Sequence, residues 1–118
     1  MSVPDRMKAI DPAAAGGPEV LTLVERPVPD PGDDEVLIRV VAAGVNRPDV
    51  LQRKGLYPPP PGAPTIPGLE VAGHIVHMGP GVASEVIGSP VCTLLPGGGY
   101  AEYAVVAADL CLPVPAAL

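Results

Sequence analysis

Five polar residues stand close together between two apolar stretches of the chain: Asn46, Asp49, Arg53, Tyr57 and Glu70. An amide, a phenol, a guanidinium and two carboxylates can bind and orient a polar ligand through hydrogen bonds. They fall at predicted strand ends and on a long loop, where a rigid scaffold usually displays its functional groups. The sequence therefore predicts a binding or catalytic site in this part of the chain.

The elements that must position these residues are a strand, a short helix, a proline-rich loop and a second strand. Val36–Val45 is the strongest predicted strand, with apolar side chains on both faces for most of its length. Asn46–Lys54 follows as a helix. Tyr57 then precedes the four prolines Pro58–Pro61, which favour a stiff, extended loop, and Glu70–Met78 resumes a strand.

The predicted helix has sequence signals at both ends. Asn46 is a favourable N-cap, and Pro48 is tolerated in the first turn because its missing N–H has no partner to lose there. Asp49 in the same turn favours the helix dipole, and Gly55 is well placed to end the helix. Asn46 and Asp49 thus have a structural explanation beside a functional one.

The same alternatives stay open for the other polar residues. Tyr57 either lines a site or covers the proline-rich loop with its ring. Glu70, between Leu69 and Val71, is expected to be half-buried, and a buried carboxylate needs a partner. The candidate partners are Arg53 and nearby backbone amides.

The rest of the chain is typical of short strands separated by turns. Met7–Ile10 and Val20–Glu25 are predicted to form a hairpin with a long loop, and further strands are predicted at Val91–Leu95, Tyr100–Val106 and Leu110–Val114. Gly97-Gly98-Gly99 requires backbone freedom or the close approach of another segment. Six to eight short strands with regular turns indicate one domain built as a barrel or a sandwich.

Composition and charge argue against several classes of function. The net charge of −6 comes without a basic patch, which argues against nucleic-acid binding. No apolar run approaches the roughly 20 residues that span a bilayer, and the N-terminus lacks an apolar signal segment. Cys92 and Cys111 have apolar neighbours and are expected to be reduced, buried thiols of a cytoplasmic protein.

Residue spacing alone predicts neither a metal site nor a nucleotide site. His74 and His77 are three residues apart, which on a regular strand places them on opposite faces. Gly79-Pro80-Gly81 and Gly97-Gly98-Gly99 do not lie between a strand and a helix, as a dinucleotide-binding turn must. The sequence therefore predicts no metal and no nucleotide bound by this chain alone.

Four stretches of the chain follow a known pattern in order and at family spacing: residues 45–49 (VNRPD), 52–58 (QRKGLYP), 67–74 (PGLEVAGH) and 94–103 (LLPGGGYAEY). They resemble the N-terminal catalytic domain of medium-chain dehydrogenase/reductases. Within that superfamily they resemble the zinc-free NADPH:quinone oxidoreductase branch, and its p53-inducible type in particular. The resemblance implies a mainly β fold, namely a GroES-like partly open β-barrel with one or two short helices.

The resemblance also implies roles for the five polar residues. Asn46 and Tyr57 would be the catalytic residues, lining a cleft beside the nicotinamide and the substrate, and Asn46 would also contact the cofactor. Asp49, Arg53 and Glu70 would support the site structurally.

Zinc and domain organisation follow from the same resemblance. Zinc-dependent relatives have Cys at the position of Asn46 and His at the position of Leu69, so no zinc is expected here. The family places a Rossmann domain after the residue that matches Leu118, so residues 1–118 would be the substrate-side domain without its cofactor domain. NADPH is expected to bind the full-length parent and not this chain alone.

The implied function is hydride transfer from NADPH to a quinone or related carbonyl acceptor in the full-length parent, with this chain inactive by itself. An enoyl-thioester or enone reductase of the same superfamily is the alternative among enzymes. A non-enzymatic GroES-like binding or assembly module is the alternative outside them. The apolar strand faces also predict that the chain self-associates, and the parent is expected to be a dimer.

Overall fold

The computed structural model describes residues 3–118, whose strands form two separate antiparallel sheets. The smaller sheet pairs β1 (Arg6–Ile10) with β2 (Leu23–Pro27). The larger sheet has the order β6-β3-β4-β5-β7, with these bounds: β3 Glu35–Ala43, β4 Glu70–Met78, β5 Pro90–Leu94, β6 Tyr103–Ala107 and β7 Leu112–Pro113. Neither sheet closes on itself, which confirms the predicted mainly β, partly open barrel.

Helical structure in the described residues is short. The α-helix α1 spans Arg47–Arg53, with Asn46 as its N-cap, close to the predicted bounds. Single-turn 3₁₀ helices lie at Pro18–Val20, Ser84–Val86 and Ala108–Leu110. No helix among residues 3–118 is long and apolar enough to cross a membrane.

Three predicted strands differ from the structure. Tyr100–Val106 starts three residues late, as β6 at Tyr103, because the Tyr100 N–H donates to the Pro67 carbonyl and Ala101 forms only an isolated bridge to Ala9. Val20–Glu25 was wrong at its start, because Pro18–Val20 forms a 3₁₀ turn and the strand runs from Leu23 to Pro27. Pro27 is tolerated because it ends an edge strand, where its missing N–H breaks no ladder. Leu110–Val114 shrinks to the two residues of β7, since the chain turns through Ala108–Leu110 first.

The main core covers one face of the larger sheet. It is built from buried aliphatic side chains of four strands and the loop after β5: Val36, Ile38, Val71, Ile75, Val91, Leu95, Ala104 and Val106. β3 is central because β6 pairs with its first half and β4 with most of its length. The second half of β3 has no β6 partner, and Val41 there is 63% exposed. The predicted burial of both faces of this strand is therefore confirmed only for its first half.

A smaller core cluster lies beneath the β1–β2 hairpin. Met7 and Ala9 of β1 pack with Ile66 of the proline-rich loop, and the rings of Tyr100 and Tyr103 pack against them. This cluster joins three segments that are distant in sequence. It fixes the loops that surround α1.

Candidate functional site

The first turn of α1 brings together two of the predicted site residues. Asn46 has extended backbone angles (φ −127°, ψ 160°), as an N-cap residue should. Its backbone N–H donates to Oδ2 of Asp49 at 2.9 Å, and the Asp49 N–H donates to the Asn46 carbonyl at 3.0 Å. Asp49 therefore closes the first turn on Asn46 and fixes its backbone.

Asp49 is buried, with 5% of its surface exposed, and it also receives a hydrogen bond from a distant residue. The Tyr100 hydroxyl donates to the same Oδ2 atom at 2.6 Å. Within residues 3–118 no Lys, Arg or His forms a salt bridge with Asp49, so the two hydrogen bonds to Oδ2 stabilise its buried carboxylate, while Oδ1 has no partner there. Burial, and next the hydrogen bond to the Asp49 carboxylate, raise the pKa of Tyr100, which keeps its hydroxyl protonated.

The backbone around Tyr100 is pressed against the end of the proline-rich loop. Gly99 N–H donates to the Gly68 carbonyl at 3.1 Å, and Tyr100 N–H donates to the Pro67 carbonyl at 2.9 Å. Gly68 has φ +108°, and a Cβ there would lie 2.7 Å from both Gly99 Cα and Tyr100 N. Both predicted explanations of Gly97–Gly99 are thus confirmed: Gly98 has φ +92°, and Gly99 lies closely against Gly68.

The C-terminal end of α1 is held by two further loops. The Arg53 carbonyl accepts the Gly16 N–H at 2.9 Å, and the Gln52 side chain donates to the Thr65 carbonyl at 2.9 Å. Tyr57 lies half-buried just beyond this end, after the turn at Gly55. Asn46 and Tyr57 therefore lie beyond opposite ends of α1, whose seven residues make it about 10 Å long.

Arg53, one of the two candidate partners of Glu70, does not pair with it. Glu70 is half-buried as expected, but its carboxylate lies directly against Gly44, at the end of β3. No salt bridge joins it to Arg53 in the described part of the chain. This alternative fails because Arg53 belongs to the far end of α1, whereas Glu70 is the first residue of β4.

Glu70 instead lines an open, mainly apolar cavity of about 470 Å³ at the edge of the larger sheet. Gly44, Cys92, Leu94 and Leu112 are among its other lining residues. Leu94 and Leu112 are 72% and 63% exposed. Because Gly44 is two residues before Asn46, this cavity lies next to the N-cap of α1 along the chain.

A second polar cluster was not foreseen from the sequence. The buried Asp11 carboxylate accepts hydrogen bonds from Arg26 Nε at 3.0 Å and from the Thr65 hydroxyl at 2.9 Å. It borders an apolar cavity of about 350 Å³. The three residues satisfy one another and tie the hairpin to the proline-rich loop. No local pattern marks them, whereas Tyr100 is marked by the three preceding glycines.

The two histidines lie on the same face of β4, so their predicted opposite placement was wrong. His77 pairs with Leu37 and His74 with Arg39, and these two β3 partners are two residues apart. The register shift inserts Val76 as an extra residue and reverses the alternation. Even so, residues 3–118 contain no group of three His, Cys, Asp or Glu side chains that could hold a metal.

The fold and the site together define a small antiparallel β domain whose loops hold one short helix with a buried, hydrogen-bonded acid. The chain belongs to the family described as the alcohol dehydrogenase GroES-like domain, whose pattern matches residues 32–116. The predicted GroES-like fold is therefore confirmed.

Individual relatives extend the likeness over nearly the whole chain. Rat quinone oxidoreductase is 42% identical over 114 residues, which cover 95% of this chain and 35% of that protein. The crystal structure of the human synaptic vesicle membrane protein VAT-1 homolog-like protein has a TM-score of 0.87 at 31% identity, covering 96% of this chain and 37% of that one. A thermostable alcohol dehydrogenase from Pyrobaculum aerophilum, solved with cobalt and zinc, has a TM-score of 0.81 at 34% identity, covering 94% and 42%.

The chain spans about a third of the length of the curated relatives that it matches. Similarity to quinone oxidoreductases and alcohol dehydrogenases confirms the resemblance to medium-chain dehydrogenase/reductases, so this is a domain of an oxidoreductase superfamily.

Proposed function

We propose that this chain is the substrate-side domain of a cytoplasmic, zinc-independent NADPH:quinone oxidoreductase. The observation that carries the proposal is the rigid placement of Asn46 at the start of α1, in a chain 42% identical to rat quinone oxidoreductase. The active unit would be this domain joined to a Rossmann cofactor domain, with residues 1–118 inactive alone.

Asn46 and Tyr57 would contact the nicotinamide and the substrate carbonyl. An amide and a phenol are neutral groups that offer both donors and acceptors, which suits a carboxamide and a quinone oxygen. Asp49 would hold Asn46 in place. Arg53 would hold the far end of α1 through its carbonyl, and Glu70 would border the cleft.

On this proposal residues 3–118 would contact only the nicotinamide end of NADPH. The glycine turns at Gly79–Gly81 and Gly97–Gly99 follow strands but precede no helix that begins at the turn, so neither forms a pyrophosphate-binding turn. When bound by its own domain, NADPH would supply a hydride to the quinone, which also gains a proton and leaves as the hydroquinone. The contribution of this chain is to orient the acceptor and to exclude water.

Zinc independence is supported by two residue types. Asn46 and Leu69 occupy the positions at which zinc-dependent relatives carry ligands, and neither side chain is among the Cys, His, Asp and Glu ligands that bind zinc in proteins. Elemental analysis of the purified chain, dialysed without chelator, should find far less than one zinc per chain. About one zinc per chain would refute this part of the proposal.

A chimera tests the function directly. The N-terminal third of rat quinone oxidoreductase is replaced by this chain, and NADPH oxidation is followed with 1,4-naphthoquinone as acceptor. We expect turnover by the chimera, and neither turnover nor calorimetrically detectable NADPH binding by the 118-residue chain alone. A folded chimera that oxidises NADPH only with an enoyl thioester or an enone would favour the alternative reductase.

A folded chimera that is inactive with every acceptor would favour the binding-module alternative. Folding is checked by circular dichroism and by gel filtration against the intact rat enzyme. The intact enzyme also serves as the positive control for the assay.

A further inference from the structure

One carboxylate oxygen links the helix start to a loop on the other side of the site. Asp49 Oδ2 accepts the Asn46 backbone N–H at 2.9 Å and the Tyr100 hydroxyl at 2.6 Å. We propose that Tyr100 is a positioning residue, which fixes the direction of the Asn46 side chain through Asp49. The catalytic meaning of this inference rests on the proposed function, but the hydrogen-bonded chain itself does not.

Tyr100 is suited to this task because its own backbone is held on two sides. Its N–H donates to the Pro67 carbonyl at 2.9 Å, and its carbonyl accepts the Ile10 N–H at 2.8 Å. Its ring lies so close to Gly68 that a Cβ there would be 2.8 Å from Tyr100 Cδ1. The hydroxyl is thus a fixed point that does not depend on α1.

Asp49 depends on the Tyr100 hydrogen bond more than a solvent-exposed carboxylate would. Its carboxylate is buried, and no cation in residues 3–118 forms a salt bridge with it. Oδ2 accepts both of its hydrogen bonds, whereas Oδ1 is buried without a partner among residues 3–118. Removing the Tyr100 hydroxyl would leave this buried carboxylate with a single donor, which is costly enough to favour another side-chain rotamer. A rotated carboxylate would no longer accept the Asn46 N–H, because the same oxygen accepts both hydrogen bonds.

A purely structural role would predict something different. If Tyr100 only fills space in the smaller core cluster, its ring is what matters and its hydroxyl can be removed without displacing Asn46. Tyr103 provides a matched control, because it is also half-buried and packs against the same cluster. The hydrogen bond to Asp49 comes from the Tyr100 hydroxyl and not from that of Tyr103.

The first arm of the test uses the 118-residue chain and no cofactor. Tyr100→Phe and Tyr103→Phe are compared by NMR, following the chemical shift and hydrogen exchange of the Asn46 backbone amide. In Tyr100→Phe we expect an upfield shift and about tenfold faster exchange after correction for global stability, as for the loss of one hydrogen bond. An Asn46 amide that responds equally in the two variants would overturn the inference.

Asp49→Asn keeps the test decisive if Tyr100→Phe does not fold. It preserves the shape of the side chain but replaces the charged acceptor by a weaker amide oxygen. We expect the Asn46 amide to move upfield there as well, and the aromatic resonances of Tyr100 to shift. An unmoved Asn46 amide in a folded Asp49→Asn chain would overturn the inference.

The second arm measures kinetics in the chimera with rat quinone oxidoreductase. If Asn46 acts in the transition state, Tyr100→Phe should lower kcat and kcat/KM together by about tenfold, whereas Tyr103→Phe should leave both near the parent values. Equal kcat values for the two variants would refute the catalytic part of the inference. An inactive parent chimera would instead count against the proposed function, and the amide measurement would still decide on Tyr100.

Discussion

The contact between Gly68 and the Gly99–Tyr100 backbone is the most sharply testable feature of the site. A Cβ on Gly68 would lie 2.7 Å from Gly99 Cα and from Tyr100 N, and both are backbone atoms with no flexible end. Gly62 offers a matched control in the same loop. It also has a positive φ (+83°), but a Cβ added there would have no other atom within 4 Å, because that part of the loop is open.

The magnitude follows from comparing Gly68→Ala with Gly62→Ala. Both variants lose about 1–2 kcal/mol by placing a side chain at positive φ, offset in both by a similar loss of unfolded-chain entropy. Gly68→Ala must also separate the two loops, which weakens the Gly99–Gly68 and Tyr100–Pro67 hydrogen bonds at about 1 kcal/mol each. We therefore expect Gly68→Ala to be about 2 kcal/mol less stable than Gly62→Ala.

Urea unfolding followed by circular dichroism measures this difference. With a slope of about 1–3 kcal/mol per molar urea, a difference of about 2 kcal/mol moves the midpoint by roughly 1 M. Failure of Gly68→Ala to fold would agree with the reasoning, provided that Gly62→Ala folds. Equal midpoints in two folded variants would show that the loops separate freely, and the fixed placement of Tyr100 would lose its basis.

Three further predictions concern charge and surface. The pKa of Tyr100 is raised in the folded chain, so folding favours its neutral form. The free energy of unfolding should therefore fall as pH rises above about 10. This fall should be less steep in Tyr100→Phe, which has no hydroxyl to titrate. Asn46→Asp should be less stable than Asn46→Ser in thermal unfolding, although both residues cap well, because it adds a second carboxylate beside Asp49. Self-association of the chain, measured by light scattering at tens of micromolar, should weaken in Leu94→Lys. It should not weaken in Leu23→Lys, the control, because Leu23 is 64% exposed but lies on the other sheet. A monomeric unsubstituted chain would contradict this prediction.

The central strands could be predicted from the sequence because their cause is local. Runs of β-branched and aliphatic residues fit a pleated, buried surface, and β3 and β4 appear within two residues of their predicted ends. The extra residue at Val76 could not be predicted, since a bulge depends on which residue the partner strand presents. That single insertion reversed the predicted placement of His74 relative to His77.

The partners of charged side chains were predicted least well, because they depend on contacts between loops that are distant in sequence. Arg53 was one of two candidate partners for the Glu70 carboxylate, yet that carboxylate lies against Gly44. For Asp49, one of its hydrogen-bond partners was not predicted at all. Its position in the first turn explained it fully as a helix-dipole acid, while its second partner, Tyr100, lies 51 residues away.

The position of Asn46 is therefore a tertiary property, although its capping role is local. A helix of seven residues is too short to be stable alone, so α1 exists because other segments hold it. It is held at Asp49 by Tyr100, at Gln52 by the Thr65 carbonyl and at the Arg53 carbonyl by Gly16. The first of these contacts acts within the same turn as Asn46, whereas the other two act at the opposite end. Loosening the far end should chiefly affect Tyr57, and loosening the Asp49–Tyr100 contact should chiefly affect Asn46, so the two candidate catalytic residues can be perturbed separately.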